Sequence, residues 1–322
     1  MRAMICEHHG GPEQVVPGEL PLPEPGPGEV RIRVRACGIN FPDVLMVAGR
    51  YQAQPPLPFA PGAEVAGEID LCADDSGFAA GQRVLAFCHS GGLAEYVVVN
   101  ASQVVAIPDA MPFDIAAAFI LTYGTSWHAL RQRARLVAGE RLLVLGAAGG
   151  VGLAAVELGA LAGAEVIAVA STEDKRALAA DHGAAHTLGY DDLKARLKAL
   201  TGGDGVDVIF DPVGGDSFEQ ALRASARGGR ALVVGFAAGN IPTVPMNLPL
   251  LKGCSIVGVF WGQFTEHEPH TAAANHRQLM RWYVDGRLRP HIDRAYPFGR
   301  AADALERLAS REARGKVVVT GP

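Results

Sequence analysis

The sequence predicts an α/β protein of two lobes, a β-rich lobe followed by a doubly wound parallel sheet. Three observations carry that prediction. Up to about residue 122, short β-type runs alternate with Pro- and Gly-rich turns. From about 123 onward the apolar runs become continuous, as strands buried on both faces require, and several are separated by helix-like segments. Between one such run and the helix after it lies the glycine-rich stretch "LLVLGAAGGVG", residues 142–152.

In the first lobe "EVRIRVRACGI" (29–39), "AEVAGEIDLC" (63–72), "GQRVLAFC" (81–88) and "LAEYVVVN" (93–100) read as strands. In the second, "RLLVLG" (141–146), "EVIAVAS" (165–171), "VDVIFDPVG" (206–214), "RALVVGF" (230–236) and "SIVGVFW" (255–261) read as sheet core. The tail carries "AADALERLASREARG", with Leu305 and Leu308 at helical spacing, then "KVVVTG", a strand expected to rejoin the first lobe. These elements put residues 1–122 and 263–322 in one domain and 123–262 in the other, and a chain of 322 residues is long enough for both.

A net charge of −5 gives no electrostatic reason to expect nucleic acid or an anionic membrane as partner, so a small diffusible ligand is expected. Five scattered cysteines, Cys6, Cys37, Cys72, Cys88 and Cys254, form no C-x-x-C pair; they read as reduced thiols of a cytoplasmic protein. The opening "MRAMICEHHGG" lacks a secretory pattern. Residues 142–170 are apolar, but their glycines and Glu157 and Glu165 fit strand, turn and helix better than a membrane span.

The glycine stretch departs from the common G-x-G-x-x-G spelling, with Ala147 where the first glycine would stand. Gly149 and Gly152 keep the spacing of the last two, and Gly146 is placed to make the tight turn. A strand-to-helix turn of this kind offers free backbone N–H groups and a helix dipole to a pyrophosphate. Gly146, Ala148, Gly149, Gly150, Val151 and Gly152 are therefore candidate dinucleotide-binding residues; the alternative is a plain structural turn. About 20 residues on, an acidic side chain would bind the adenosine ribose and repel a 2′-phosphate. Ser171 and Thr172 stand there instead, with Lys175 and Arg176 behind them, which favours NADPH. The alternative reading of Lys175 and Arg176 is a solvated helix face, and Glu173 and Asp174 dilute the positive field.

Together "GAAGGVG", "ACGINFPDVL", "PFAPGAEVAGEI" and "GGLAEYVVV" resemble the medium-chain dehydrogenase/reductase superfamily, in its zinc-free, zeta-crystallin-like quinone oxidoreductase branch. The resemblance spans nearly the whole chain. It implies a GroES-like β-rich catalytic domain built from both termini, a Rossmann doubly wound domain between them, NADPH as cofactor, and a homodimer. Zinc-bearing relatives hold their catalytic metal with a cysteine and a histidine followed by glutamate; here Asn40 and Ala63 stand at those positions and leave only Glu64. The structural four-cysteine lobe is also missing. His8, His9, His89, His267, His270 and His276 lack ligand spacing, so no metal is expected.

By resemblance, Asn40, Asp43 and Thr125 lie beside the nicotinamide. "INFPD" also reads as a turn, with Pro42 fixing φ and Asn40 and Asp43 capping backbone groups. Tyr51 is similar to a tyrosine that donates a proton in enoyl-thioester reductases and lines the acceptor pocket in quinone reductases; otherwise it is a half-buried loop aromatic. The resemblance places Tyr190 near the adenosine phosphate, Gly235, Phe236, Phe260, Trp261 and Gly262 along the nicotinamide, and Lys316 near the cofactor's phosphate end. Loop structure or sheet core is the alternative for each.

The expected activity is NADPH-dependent, zinc-independent hydride transfer to a quinone or similar electron-poor acceptor, for which positioning carries most of the catalysis. Reduction of an enal, enone or enoyl-thioester is the second reading, and a cofactor-loaded but idle, crystallin-like protein the third. The absence of an Arg/Lys cluster in the N-terminal loops favours quinones over coenzyme A esters. An edge position for "SIVGVFWG" would let two copies join their sheets across a two-fold axis.

Overall fold

A computed structural model describes residues 1–73 and 76–321. The chain divides into two compact units, Met1–Leu121 with Pro290–Pro322, and Thr122–Arg289.

The first unit starts with an antiparallel pair, β1 (Arg2–Cys6) and β2 (Val15–Glu19). Then follow β3 (Glu29–Ile39), α1 (Phe41–Val47), β4 (Glu64–Cys72), β5 (Arg83–Phe87), β6 (Tyr96–Asn100), β7 (Val104–Ala106) and α2 (Phe113–Ala116). Alternation explains the first half of β3: Val30, Ile32 and Val34 are buried while Arg31, Arg33 and Arg35 are not. Its second half, Ala36–Ile39, is buried on both faces, and a side chain on Gly38 would overlap the Ala117 carbonyl just past α2. The functional cluster sits at that closely covered end.

Next along the chain come α3 (Ile120–His128), β8 (Arg141–Leu145), α4 (Gly150–Leu161), β9 (Glu165–Val169), α5 (Glu173–Asp181), β10 (His186–Leu188), α6 (Leu193–Leu200) and β11 (Val206–Asp211). They are followed by α7 (Asp216–Arg223), β12 (Ser225–Val233), α8 (Asn247–Lys252), β13 (Ser255–Gly258), α9 (Trp261–His267) and α10 (Pro269–Val284). The six strands are all parallel, in the order β10-β9-β8-β11-β12-β13. Chain order reverses between β8 and β11, which opens a crevice at their carboxyl ends, where the glycine turn lies.

The chain closes with β14 (Ile292–Pro297), α11 (Ala301–Ala309) and β15 (Lys316–Thr320). As "KVVVTG" led us to expect, β15 rejoins the first unit: it runs antiparallel to β3, Val317 opposite Ile39, and parallel to β14. The larger sheet of that unit has the order β14-β15-β3-β4-β5-β7, with β6 pairing β3.

Three details differ from the sequence reading. The boundary expected at 263 falls at Pro290 instead. Counting strands alone had ended the unit too early, because α9 and α10 pack within it: Phe264 stacks on His128 of α3, and Asn275 accepts a hydrogen bond from Gln132. The run read as "SIVGVFW" is a strand for only four residues, after which Trp261 begins α9. That strand is not covered on both faces, since it is the sheet edge and Ile256 is 40% exposed.

Candidate functional site

The glycine turn in the second unit is built around one carbonyl. Gly146 turns the chain out of β8 at φ +60°, a left-handed conformation that glycine adopts without a side-chain penalty. Its oxygen accepts the Gly149 N–H at 2.9 Å, and a Cβ on Gly152 would run into that same oxygen. The first turn of α4 therefore packs directly on the turn before it. Gly149 caps the helix with extended backbone, so the N–H groups of Gly150, Val151 and Gly152 begin a 12-residue helix with no carbonyl four residues back to bind. These amides and the dipole behind them suit a diphosphate. Ala147 and Ala148 are buried beneath the turn, and the Ala147 N–H ties it to Val169 at the end of β9.

Tyr190 reaches this turn from beyond β10, its phenol oxygen accepting the Gly146 N–H at 2.9 Å. Burial raises the phenol's pKa, so it keeps its proton. At the end of β9, Ser171 and Thr172 are exposed, and Thr172 caps α5 by accepting the Lys175 N–H at 3.3 Å. Arg176 folds back to donate to the carbonyls of Ala170 and Ser171, 3.2 and 3.5 Å away. Lys175 and Arg176 are thus half-buried in the first turn of α5 rather than on a freely solvated face.

At the end of β11, the Asp211 Oδ1 accepts the N–H groups of Val213 and Gly214 at 2.7 and 2.9 Å and so folds the next loop. Burial pushes this carboxyl up to about 6. Val213 covers the α-carbon of Gly146, and Phe236 lies against Gly214. Gly235 donates to the Asp211 carbonyl. Phe260 is 58% exposed, whereas Trp261 is buried over Gly124 of α3 and belongs to the core of its unit. The Gly262 carbonyl caps Thr265, and Thr125 is buried in α3.

In the first unit a closed polar cluster surrounds Glu64, whose side chain is fully buried at the start of β4. Its Oε1 accepts the Leu121 N–H of α3 at 3.0 Å. Its Oε2 accepts from Lys316 Nζ at 2.8 Å and from Asn40 Nδ2 at 3.2 Å. Lys316 also donates to Asn40 Oδ1 at 2.7 Å and to the Ile39 carbonyl at 3.2 Å, while Asn40 Nδ2 donates to Gly38 at 3.1 Å. An ammonium has three hydrogens, and each has an acceptor here. Lys316 therefore does not match its expected place at the cofactor's phosphate end: it is a buried counter-ion of Glu64. Asn40, aligned with the metal-ligand cysteine of zinc-bearing relatives, likewise has both amide hydrogens taken up.

Asp43 lies one turn into α1. Its two oxygens accept the N–H groups of Asn40 at 2.7 Å and Gly62 at 3.2 Å, joining the helix start to the segment that leads into Glu64. Burial pushes its carboxyl up to about 7 against those two bonds. Tyr51 is half-buried against the same core, and burial and then the charge of Asp43 raise its pKa. Its hydroxyl makes no hydrogen bond among the described residues. No group of three or more His, Cys, Asp or Glu side chains among the described residues is arranged to hold a metal ion.

Sequence reasoning missed Asp211 and the ion pair of Glu64 with Lys316. A signal for the pair was present: "PGAEVAG" and "GKVVV" each carry one charge in a run that must be buried, and the charges are opposite.

A GroES-like unit with a closed polar cluster, joined to a Rossmann-like unit with a diphosphate-type glycine turn, defines a two-domain dehydrogenase/reductase. Residues 26–109 match the alcohol dehydrogenase GroES-like domain family, and residues 150–276 match the zinc-binding dehydrogenase family. The quinone oxidoreductase-like protein 2 homolog of Nematostella vectensis is 37% identical over 324 residues, covering 99% of this chain and 88% of that protein. Human quinone oxidoreductase is 32% identical over 325 residues, covering 99% and 97%. The crystal structure of Escherichia coli quinone oxidoreductase complexed with NADPH superposes with a TM-score of 0.94 at 28% identity, over all of both chains. This chain belongs to the quinone oxidoreductases of the medium-chain dehydrogenase/reductase superfamily.

Proposed function

We propose that this chain is an NADPH-dependent quinone oxidoreductase that passes hydride directly to a quinone or similar electron-poor acceptor, without zinc. The observation that carries the reading is the glycine turn, where Gly152 admits no side chain against the Gly146 carbonyl. Relatives named quinone oxidoreductase, one of them crystallised with NADPH, support it.

The free amides at Gly150, Val151 and Gly152 bind the diphosphate, and Tyr190 holds Gly146 in place for them. Ser171, Thr172, Lys175 and Arg176 take the 2′-phosphate. Bound there, the reduced nicotinamide supplies the hydride. Thr125, Gly235, Phe236, Phe260 and Gly262 orient the ring and exclude water, and Trp261 backs them from the core. Asn40 and Asp43 shape the acceptor wall, since their polar atoms are engaged within the protein. Zinc independence is supported by the donor set: where a metal would need three ligands, Asn40, Ala63 and Glu64 offer one carboxylate, and Lys316 is bonded to it.

The test follows NADPH absorbance with naphthoquinone, phenanthrenequinone, an enal and crotonyl-CoA in turn, before and after chelator dialysis. Fast turnover with the quinones, unchanged by chelation, is the expected result. Tight NADPH binding with silence toward every acceptor would replace the proposal by an idle binding protein. One observation favours the enal/enone reading as second choice: the half-buried Tyr51 hydroxyl has no hydrogen-bond partner among the described residues, so its proton is not committed elsewhere.

We also infer a homodimer that joins β13 to its copy. The edge position of β13 supports it, as do Met246, Leu250 and Leu251 nearby in sequence, 81%, 79% and 78% exposed.

A further inference from the structure

We propose that Lys316 is a positioning residue for the reaction: acting through Glu64, it holds the Asn40 amide and the first turn of α3 in a single arrangement. The inference rests on the NADPH-dependent reductase reading above.

Four segments far apart in sequence meet at one carboxylate. Lys316 opens β15, Ile39 ends β3 with Asn40 next to it at the start of α1, Glu64 opens β4, and Leu121 is in the first turn of α3. Every bond in the cluster has a direction fixed by charge. The ammonium only donates, so Asn40 must present Oδ1 to it and Nδ2 to Glu64 and Gly38. The ionised Glu64 only accepts, so it can take Leu121, Asn40 and Lys316 together. Reversing the Asn40 amide would set NH2 against NH3⁺ and oxygen against carboxylate.

Neither charge reaches water: Glu64 is fully buried and Lys316 is 5% exposed. Removal of the ammonium would leave a buried carboxylate facing only neutral donors, a state proteins avoid by protonation or rearrangement. A protonated Glu64 needs an acceptor of its own, and Asn40, no longer bonded to Lys316, becomes free to turn. Asn40 lines the start of α1, and Leu121 begins the helix that carries Thr125, so both changes move groups assigned to the nicotinamide's surroundings. Lys316 touches no reacting atom in this scheme.

The test is a double-mutant cycle of Lys316→Met, Glu64→Gln and the double variant, with NADPH and naphthoquinone as probes and thermal unfolding measured alongside. In Lys316→Met, kcat should fall at least about tenfold while the Kd for NADPH stays within about threefold, because orientation is lost and phosphate contacts are not. The double variant has no buried charge and should unfold higher than Lys316→Met, but a glutamine that accepts from Leu121 turns its NH2 toward the Asn40 NH2 and no ammonium holds Asn40, so its kcat should stay at least about tenfold below wild type. An unchanged kcat in Lys316→Met, or a double variant restored to within about threefold of the wild-type kcat, would overturn the proposal, the second because charge balance alone would then explain the loss. So would a Kd for NADPH that rises while kcat holds, the signature of a phosphate contact. Should Lys316→Met not fold, the double variant, free of any stranded charge, carries the test alone: a kcat within about threefold of wild type there would sink the idea. A wild type inert toward every acceptor would overturn the reductase reading instead, and the four unfolding midpoints would still report whether the two residues act as a unit.

Discussion

The phenol oxygen of Tyr190 accepts the amide hydrogen of Gly146 at 2.9 Å, so a residue 44 positions downstream holds the first glycine of the turn. Tyr190→Phe leaves that partly buried N–H without an acceptor. We expect the Kd for NADPH to rise about tenfold, with kcat at saturation little changed. Calorimetric titration checks this; an unaltered Kd would mean the turn keeps its shape without the phenol.

α8 ends just before β13, and in the inferred dimer a join at β13 is expected to cover its exposed Leu250 and Leu251. Leu251→Glu places a charge there that solvent tolerates in a monomer and a dry interface does not. Light scattering should give twice the monomer mass for the wild type and the monomer mass for the variant. A wild type that is monomeric at working concentration removes the interface.

Much of the architecture was legible because it depends on local rules. The run "EVRIRVRACGI", alternating in its first half and small or apolar in its second, marked β3, and the glycine spacing located the turn before α4. The polar runs that form β10 and β14 carry too little apolar pattern to announce a strand, and pairing with β9 and β15 makes them one. Trp261 read as the end of a strand because periodicity over so short a run cannot separate strand from helix start. The bond between Glu64 and Lys316 spans 252 residues, and no local rule reaches that far. The same limit explains Asn40 and Asp43: their residue types suggested chemistry or capping equally, and only the partners distinguish the two.

Tyr51 separates the two reductase readings. A quinone needs only a flat apolar wall, which phenylalanine also supplies, whereas a Cα=Cβ bond needs a proton at the α carbon. Tyr51→Phe should leave kcat/KM for naphthoquinone within about twofold and cut that for an enal about a hundredfold, if enals turn over at all. A large loss with quinones would make the hydroxyl part of quinone chemistry.

Lys175 stands in the first turn of α5, three residues after the exposed Thr172 that caps the helix. Replacing it with glutamate reverses a charge about 20 residues past the glycine turn, where a 2′-phosphate would sit. Lys175→Glu should raise KM for NADPH about tenfold or more and change KM for NADH by less than about threefold. Equal effects on both cofactors would show that the lysine serves helix α5 and not the phosphate.

Asp211 and Asp43 give stability an unusual pH slope. Burial raises Asp211 from 3.8 to about 6 and Asp43 from 3.8 to about 7, so each folded carboxyl keeps its proton where the unfolded chain has lost it. Stability contributed by these groups is full below about pH 4 and declines as pH rises, until about 6 for Asp211 and about 7 for Asp43. Above its window, ionised Asp211 costs on the order of 2–3 kcal/mol. Glu140, held low by its hydrogen bonds from Arg230, acts in the opposite direction and below this range. The two aspartates should nevertheless respond differently to asparagine. One oxygen of Asp211 accepts both amides, which the Asn carbonyl can reproduce, whereas Asp43 uses both oxygens and an Asn NH2 would face a backbone N–H. Asp211→Asn should therefore unfold several degrees higher than wild type at pH 8 and flatten the decline between pH 4 and 6, while Asp43→Asn should unfold lower throughout. Thermal scans from pH 4 to 8 decide it: an Asp211→Asn midpoint that parallels wild type across that range would mean Asp211 is ionised in the folded protein from pH 4 upward.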